Sequence, residues 1–305
     1  GEAPQRASGP RTFDRNGYGG RGGAGDVRTC NKDYFSTYNP NQGEFMVEVR
    51  SYPWRTDYPI VTRSYRDYAH WADSTRQDTE RILYDIGRNG MEDCQALKER
   101  LATLLPLEVT SAYGTVMEIM APDATKGNAL TWLSRHYEVP REQILAIGDN
   151  INDIPMIRWA GVGVAVSDGH PALLEQADLI APSCREGADH SRLRSGEAFT
   201  MSQNRKLIAV DLDNTVFTPN TYETFHNLSA LYLAKEAGIH VCACTGRPWY
   251  NARHFFALFP FDELCVTSNG AAIVETRTGR YEKLSPIDPQ RLDEVLEFLL
   301  EEAPQ

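Results

Sequence analysis

The stretch that decides the fold class is residues 207–215, LIAVDLDNT. Its first four residues form a short apolar run, which is typical of a strand buried on both faces of a parallel sheet. Asp211 and Asp213 follow this run directly, at the position where ligands of such sheets bind. The stretch therefore predicts two carboxylates at a binding crevice, although an Asp-x-Asp pair alone is also compatible with a turn or a helix cap.

Further polar clusters follow apolar runs elsewhere in the chain. GDNIND at 148–153 comes after ILAI, TGR at 245–247 comes after VCAC, and SNG at 268–270 follows the run ELCV. Lys126, in DATKGNAL, opens a predicted helix after a predicted hairpin at 108–120. Because the carboxyl ends of parallel strands meet at one edge of a sheet, we expect these clusters to lie together.

The order of elements after residue 120 predicts an α/β fold. Strands there alternate with helices of a length that suits right-handed crossovers, which implies a mostly parallel sheet covered on both faces. The preceding part has an α+β pattern, with a helix predicted over 67–87 and a second helix that begins at Glu92. That part carries no visible catalytic signature.

The composition is that of an acidic globular protein. Thirty-one Lys and Arg against 42 Asp and Glu give a net charge of −11, which argues against nucleic acid as a partner and favours a cytoplasmic location. No apolar run approaches the roughly 18 residues that span a bilayer, so no membrane association is expected. The first ten residues lack the hydrophobic stretch of a secretory signal. The eight glycines and five arginines of residues 1–30 predict a flexible segment, with an RNA-contacting arm as the alternative.

The residue types in the polar clusters favour phosphoryl transfer. Several carboxylates at one edge of a sheet would repel one another unless a cation is present, and Mg²⁺ is the usual cation for such oxygen ligands. A lysine and hydroxyl donors suit the oxygens of a phosphate. Together these groups predict a magnesium-dependent site for a phosphorylated compound.

Five motifs together resemble those of the haloacid dehalogenase superfamily. They are Asp-x-Asp-x-Thr at 211–215, Thr-Gly-Arg at 245–247, Ser-Asn-Gly-Ala at 268–271, Lys-Gly at 126–127 and Gly-Asp-x-x-Asn-Asp at 148–153. Within the superfamily, the set is similar to the Cof-type, sugar-phosphatase-like hydrolases. The resemblance implies a Rossmann-like core with a parallel sheet plus an α+β cap domain. It further implies a Mg²⁺-dependent phosphatase that hydrolyses a small phosphorylated metabolite, a phosphate monoester, through an aspartyl-phosphate.

The resemblance also implies roles for single residues. Asp211 would be the nucleophile, and Asp213 would be the general acid and base. The groups that bind phosphate or substrate would be Lys126, Asn152, Thr245, Gly246, Arg247 and Asn269, of which Lys126 and Thr245 would also act in catalysis. The metal ligands would be Asp149, Asp211 and the backbone carbonyl of Asp213, with Asp153 in support. Asn214 stands where the family commonly has Gly.

The order of the motifs departs from that of the family. The family begins with the Asp-x-Asp strand, whereas here that strand follows the lysine and the Gly-Asp-x-x-Asn-Asp motif. Three interpretations stay open: a circularly permuted core, a homo-oligomer that exchanges halves between chains, and a catalytically silent chain. Because each motif occurs once, the permuted core is favoured.

The permuted interpretation predicts six segments. They are a flexible segment (1–30), most of the cap (31–118), the second half of the core (119–185), a linker (186–205), the first half of the core (206–285) and the start of the cap or a terminal helix (286–305). Two other functions remain as alternatives. A phosphomutase would pass the phosphoryl group to a sugar instead of water, and a silent member of the superfamily would only bind its ligand.

Overall fold

The computed structural model describes residues 34–39, 43–48, 61–63, 81–85, 91–104, 106–112, 116–183, 206–218 and 220–302. Three β-sheets and their flanking helices lie in these stretches. None of the helices in them is long and apolar enough to cross a membrane. The predicted flexible segment, 1–30, and the predicted linker, 186–205, lie outside the described residues.

A six-stranded sheet, called the cap sheet below, occupies the first part of the chain. Its strands are β1 (Tyr34–Asn39), β2 (Gly43–Glu48), β3 (Val61–Arg63), β4 (Arg81–Asp85), β5 (Glu108–Ala112) and β6 (Val116–Met120). Their spatial order is β3-β2-β1-β4-β6-β5. The pair β2–β3 is parallel and the other neighbouring pairs are antiparallel. Helix α1 (Met91–Leu104) connects β4 to β5 along the chain, and β5–β6 is the predicted hairpin.

The helix predicted over 67–87 is wrong at Arg81–Asp85, which forms strand β4. Its other positions, 67–80 and 86–87, lie outside the described residues. This strand pairs with β1 on one side and with β6 on the other. Ile82, in the middle of the ladder, is fully buried. Pairing with two strands distant in sequence therefore outweighs the local helical periodicity.

A five-stranded parallel sheet forms the core and confirms the predicted α/β fold. Its strands are β7 (Ile144–Gly148), β8 (Val162–Val166), β9 (Leu179–Ala181), β10 (Leu207–Val210) and β11 (His240–Ala243). The spatial order is β11-β10-β7-β8-β9, and all neighbouring pairs are parallel. Strand β10, which precedes the Asp-x-Asp pair, therefore lies between β11 and the central strand β7, which comes from the earlier half of the chain.

A smaller antiparallel sheet continues this core beyond β11. It consists of β12 (Leu264–Thr267), β13 (Ala272–Glu275) and β14 (Tyr281–Leu284). A parallel bridge between Cys244 and Val266 joins β12 to the end of β11. The loops after β7, β10, β11 and β12 consequently open at the same edge.

Helices cover the core sheet on both faces. They are α2 (Lys126–His136), α3 (Ile154–Trp159), α4 (Pro171–Leu174), α5 (Thr221–Glu236) and α6 (Trp249–Ala252). The last helix, α7 (Pro289–Glu302), contacts α1, because Arg100 lies over the ring of Phe298, 5.3 Å from its centroid. The sequence predicts one helix over 249–258, whereas the structure has the short α6 followed by a 3₁₀ turn at Phe255–Ala257.

Strand β10 contributes to two separate hydrophobic clusters. Leu207 and Ala209 pack on the side of α2, and Ile208 and Val210 pack on the side of α5. All four side chains are buried. Since alternate residues of a strand point to opposite faces, a run without polar residues is what a strand covered on both faces requires.

Candidate active site

Lys126 joins three separate segments of the chain at the carboxyl edge of the core sheet. Its side chain is fully buried. Its Nζ donates to Oδ1 of Asp153 at 2.5 Å and to Oδ1 of Asp211 at 2.7 Å. The site therefore brings together the lysine, the Gly-Asp-x-x-Asn-Asp and the Asp-x-Asp motifs, as the sequence predicts.

The start of helix α2 sets the position of Lys126. Thr125 caps the helix, since its Oγ1 accepts a hydrogen bond from the backbone N–H of Asn128. Gly127 lies directly against the next helix: a Cβ there would be 2.6 Å from the carbonyl oxygen of Pro155. The absence of a side chain at this position lets α2 approach α3 and delivers the lysine to Asp153.

Asp153 is held by the loop that follows β7. Its Oδ2 accepts hydrogen bonds from the backbone N–H groups of Asp149 and Asn150, each at 3.0 Å. Gly148 leaves room for this carboxyl group, because a Cβ there would lie 2.5 Å from its carbon. One oxygen of Asp153 thus accepts hydrogen bonds from its own loop, and the other accepts from Lys126.

Three carboxylates, Asp149, Asp153 and Asp211, form a cluster around the lysine. One oxygen of each lies within 4.8 Å of the others. If all three are ionised, Lys126 neutralises one charge and two negative charges remain. Buried oxygen ligands with this excess charge suit a hard divalent cation such as Mg²⁺, so the residues fit the predicted metal.

The electrostatics of the cluster follow from its burial. Burial and the carboxylate of Asp153 raise the pKa of Asp149 to about 7, against the opposing effect of Lys126. Burial likewise raises the pKa of Asp211, again against Lys126. For Lys126 burial would lower the pKa, but the two carboxylates outweigh it and the pKa lies above its usual value. The lysine stays charged, and Asp149 and Asp211 hold protons more tightly than free aspartates do.

Asp213 lies apart from this cluster and pairs with Arg247. The guanidinium donates from Nε to Oδ2 at 2.7 Å and from Nη2 to Oδ1 at 2.6 Å. Arg247 also lies over the ring of Phe255, 5.0 Å from its centroid. The side chain of Asp213 therefore does not join the three clustered carboxylates. The predicted phosphate ligand Arg247 contacts a carboxylate instead.

A left-handed residue turns the chain between Asp213 and Thr215. Asn214 has φ 57°, a conformation that Gly adopts most readily and Asn tolerates better than most residues. Thr215 then donates its hydroxyl to Oδ1 of Asp149 at 3.4 Å. The departure from Gly at this position is thus compatible with the turn that the motif makes.

Thr245 and Gly246 follow strand β11, the first fully buried and the second half-buried. Thr245 is fully buried, and its Oγ1 accepts from the backbone N–H of Arg247 at 3.1 Å. Gly246 faces Asn269, since a Cβ there would lie 2.8 Å from Oδ1 of that residue. The Thr-Gly-Arg and Ser-Asn-Gly-Ala motifs are therefore in contact in the folded chain.

Asn152 and Asn269 also meet, and they connect the site to two residues that sequence reasoning missed. Asn152 donates from Nδ2 to Oδ1 of Asn269 at 2.8 Å. Asn269 donates from its own Nδ2 to Oε2 of Glu118 at 2.6 Å. Arg81 in turn donates to Oε1 of Glu118 at 2.8 Å. The only hint in the sequence is a carboxylate inside the apolar strand VMEIM.

Comparison with protein families gives one match that covers most of the chain. The family of haloacid dehalogenase-like hydrolases matches residues 54–188 and 208–303. Each half of the candidate site lies inside one of these two matched segments.

Curated relatives match shorter stretches. YxeH of Bacillus subtilis, which carries a provisional phosphatase name, is 36% identical over 99 residues, 30% of this chain and 37% of that protein. The phosphoglycolate phosphatase of Archaeoglobus fulgidus is 40% identical over 70 residues, 23% of this chain and 31% of that protein. A 5-amino-6-(5-phospho-D-ribitylamino)uracil phosphatase of Bacillus subtilis is 33% identical over 96 residues, 32% of this chain and 36% of that protein. The chain thus spans between 31% and 37% of the length of these three relatives.

Solved structures of the same superfamily are also similar. A haloacid dehalogenase-like hydrolase from Bacteroides thetaiotaomicron is 22% identical with a TM-score of 0.39, covering 53% of this chain and 60% of that one. A sugar phosphatase of HAD subclass IIB is 18% identical with a TM-score of 0.42, covering 54% of this chain and 60% of that one.

Proposed function

The chain belongs to the haloacid dehalogenase-like hydrolases, and from this premise we propose that it is a Mg²⁺-dependent phosphatase. Its substrate is a small phosphate monoester, and the reaction passes through an aspartyl-phosphate on Asp211. The observation that carries the proposal is the buried contact of Lys126 with both Asp153 and Asp211, inside a cluster of three carboxylates.

Substrate binding requires that negative charge be offset. A phosphate dianion that approaches Asp211 is repelled by that carboxylate, and the buried ammonium of Lys126 reduces the repulsion. Thr245 accepts a hydrogen bond from the backbone of Arg247, so its own O–H can donate to a phosphate oxygen. Lys126 and Thr245 would therefore hold the phosphate next to the nucleophile.

The cation would be held by Asp149 and Asp211 together with the backbone carbonyl of Asp213. Asp153 supports this set through its hydrogen bonds to the backbone of 149–150. When bound, Mg²⁺ would favour the ionised carboxylates and offset the charge of the phosphate.

The chemical steps use the two aspartates that follow strand β10. An oxygen of Asp211 bonds to phosphorus while the ester oxygen leaves with its electron pair and takes a proton from Asp213. Asp213 then removes a proton from water, which attacks phosphorus and releases phosphate and the free carboxylate of Asp211. The first step requires protonated Asp213, so its two hydrogen bonds with Arg247 must loosen before the leaving group departs.

A permuted core within one chain is part of the proposal. Strand β10 hydrogen-bonds to β7 on one side and to β11 on the other. Lys126 belongs to the earlier half of the core and bonds to Asp211 of the later half, 85 positions away. These contacts support a site that one chain completes by itself.

The test measures phosphate release from an aryl phosphate by the purified chain, with Mg²⁺ and with a chelator. Asp211→Asn should abolish Mg²⁺-dependent release because the amide is a poor nucleophile. Asp288→Asn is the matched control, since Asp288 is exposed and caps α7, and Asn caps equally well. Release that survives in D211N would overturn the assignment. With a sugar phosphate as the substrate, formation of an isomer without phosphate release would indicate the phosphomutase instead.

A further inference from the structure

Glu118 of the cap sheet lies between two hydrogen-bond donors. On one side Nη1 of Arg81 donates to its Oε1 at 2.8 Å, and on the other Nδ2 of Asn269 donates to its Oε2 at 2.6 Å. Arg81, Glu118 and Asn269 are 6%, 7% and 3% exposed. In such a position only a carboxylate accepts at both ends, because an amide must turn its N–H₂ toward one of the donors.

The strand register of the cap sheet places the ion pair. Arg81 of β4 is opposite Met120 and Leu83 is opposite Glu118 in β6. Arg81 and Glu118 are therefore diagonal neighbours on one face of the sheet, within reach of long side chains. Nη1 of Arg81 also donates to the carbonyl oxygen of Gly246 at 3.0 Å. The pair thus touches two of the core loops that carry predicted phosphate ligands, those of Gly246 and Asn269.

Asn269 has little freedom apart from the orientation of its amide. Its backbone is left-handed at φ 56°, and Ser268 before it is left-handed at φ 48°. Its side chain lies against Gly246, where a Cβ would come within 2.8 Å of Oδ1. Two adjacent left-handed residues other than glycine persist only where surrounding contacts hold them. The hydrogen bond to Glu118 is one of these contacts.

The amide orientation that Glu118 imposes on Asn269 also determines the amide orientation of Asn152. Because Nδ2 of Asn269 faces the carboxylate, its Oδ1 faces Asn152 and accepts from Nδ2 there at 2.8 Å. Oδ1 of Asn152 is then left buried without a partner among the described residues. Asn152 and Asn269 both line a cavity of about 60 Å³ between cap sheet and core, so the amides present defined polar atoms to whatever enters it.

We propose that Glu118 is a positioning residue: held by Arg81, its carboxylate sets the amide orientation of Asn269 and, through it, of Asn152 at the substrate side of the site. This inference rests on the proposed function, because it concerns the phosphate-binding side of that site. It needs no catalytic role for Glu118 itself, which acts through the two asparagines. It also makes the geometry of the phosphate-binding loops depend on the position of the cap sheet.

The first test compares Glu118→Gln with Glu236→Gln, an exposed glutamate at the end of α5. The readouts are the affinity for inorganic phosphate in the presence of Mg²⁺, by calorimetry, and kcat and KM for an aryl phosphate. E118Q should bind phosphate about 10–100-fold more weakly. The N–H₂ group of the glutamine must face either Arg81 or Asn269, both of which donate to the carboxylate of Glu118. The Mg²⁺ concentration for half-maximal activity should stay unchanged, since the carboxylate cluster is separate. E236Q should match the wild type.

A second pair of variants separates positioning from loss of a buried charge. R81M/E118Q and R81M/E118M both remove the ion pair and bury no charge, but only the glutamine can still accept from Asn269. We expect R81M/E118Q to bind phosphate more tightly than R81M/E118M at similar melting temperatures. Equal affinities of this pair, or wild-type affinity in E118Q, would overturn the positioning role alone. A wild-type chain that binds phosphate without hydrolysing esters would overturn the proposed function alone.

Discussion

Arg247 holds Asp213 by two hydrogen bonds, of 2.6 and 2.7 Å, between a planar guanidinium and a carboxylate. Both side chains are more than one third exposed, so the pair can open without unpacking the core. Such a pair fixes the direction of the carboxylate. Arg247, expected from its motif to bind phosphate, thus orients the group that is proposed to give and take the proton.

If Arg247 acts through Asp213, the decrease in activity on replacing Arg247 will depend on the leaving group of the substrate. Nitrophenolate departs without a proton, whereas an alkoxide needs one, and general acid catalysis contributes about 10²–10⁴-fold. We expect Arg247→Met to lower kcat/KM for an alkyl phosphate by at least about 10-fold and for nitrophenyl phosphate much less. Steady-state kinetics on both substrates measures this, with Arg253→Met, an exposed arginine after α6, as the control. Equal losses on both substrates would contradict the idea and favour a direct phosphate contact.

Replacement of Lys126 by methionine should destabilise the fold as well as abolish activity. The substitution keeps the length of the side chain but leaves Asp153 and Asp211 buried without their cation. Breaking a buried ion pair by removing one partner costs about 3–5 kcal/mol. Urea unfolding in the presence of a chelator checks the loss. Added Mg²⁺ should recover part of it, and a variant as stable as the wild type would show that the cluster is not ionised.

Metal binding should depend on pH through Asp149, whose pKa is raised to about 7. The folded chain then holds this proton more tightly than the unfolded chain, so without metal the stability falls as pH rises toward about 7. Mg²⁺ needs the ionised form. The gain in melting temperature on adding Mg²⁺ should therefore grow as pH rises through this value and then level off. Asp149→Asn should show little gain at any pH. A wild-type gain that is equal on both sides of neutral pH would count against this prediction.

Mixing two inactive variants tests whether one chain completes its own site. Asp149 lies in the earlier half of the core and Asp211 in the later half. If halves exchange between chains, D149N and D211N unfolded and refolded together would form some sites with both aspartates. We expect no recovery of phosphatase activity in the mixture, because Lys126 and Asp211 of the same chain already bond. Recovered activity, with a dimer by native mass measurement, would favour exchange of halves.

Short apolar strands were predictable because their pattern reflects their surroundings. Strand Leu207–Val210 has the predicted bounds, since strands covered on both faces cannot carry polar residues. The carboxylates of the site were predictable for a related reason: they stand where such strands end. Strand β4 was not predicted, because its ladder with β1 and β6 depends on partners that local periodicity does not reveal. The permuted order and the segment boundaries remain predictions.

The sequence by itself determined the α/β core and the candidate groups of the proposed site, because strand burial and motif spacing are local properties of the chain. Only the tertiary structure decided the partners of those groups. Arg247 lies 34 positions from the carboxylate that it holds, and Glu118 lies 151 positions from Asn269. A hydrogen bond between such residues depends on how sheets and loops pack, and no local pattern records that packing.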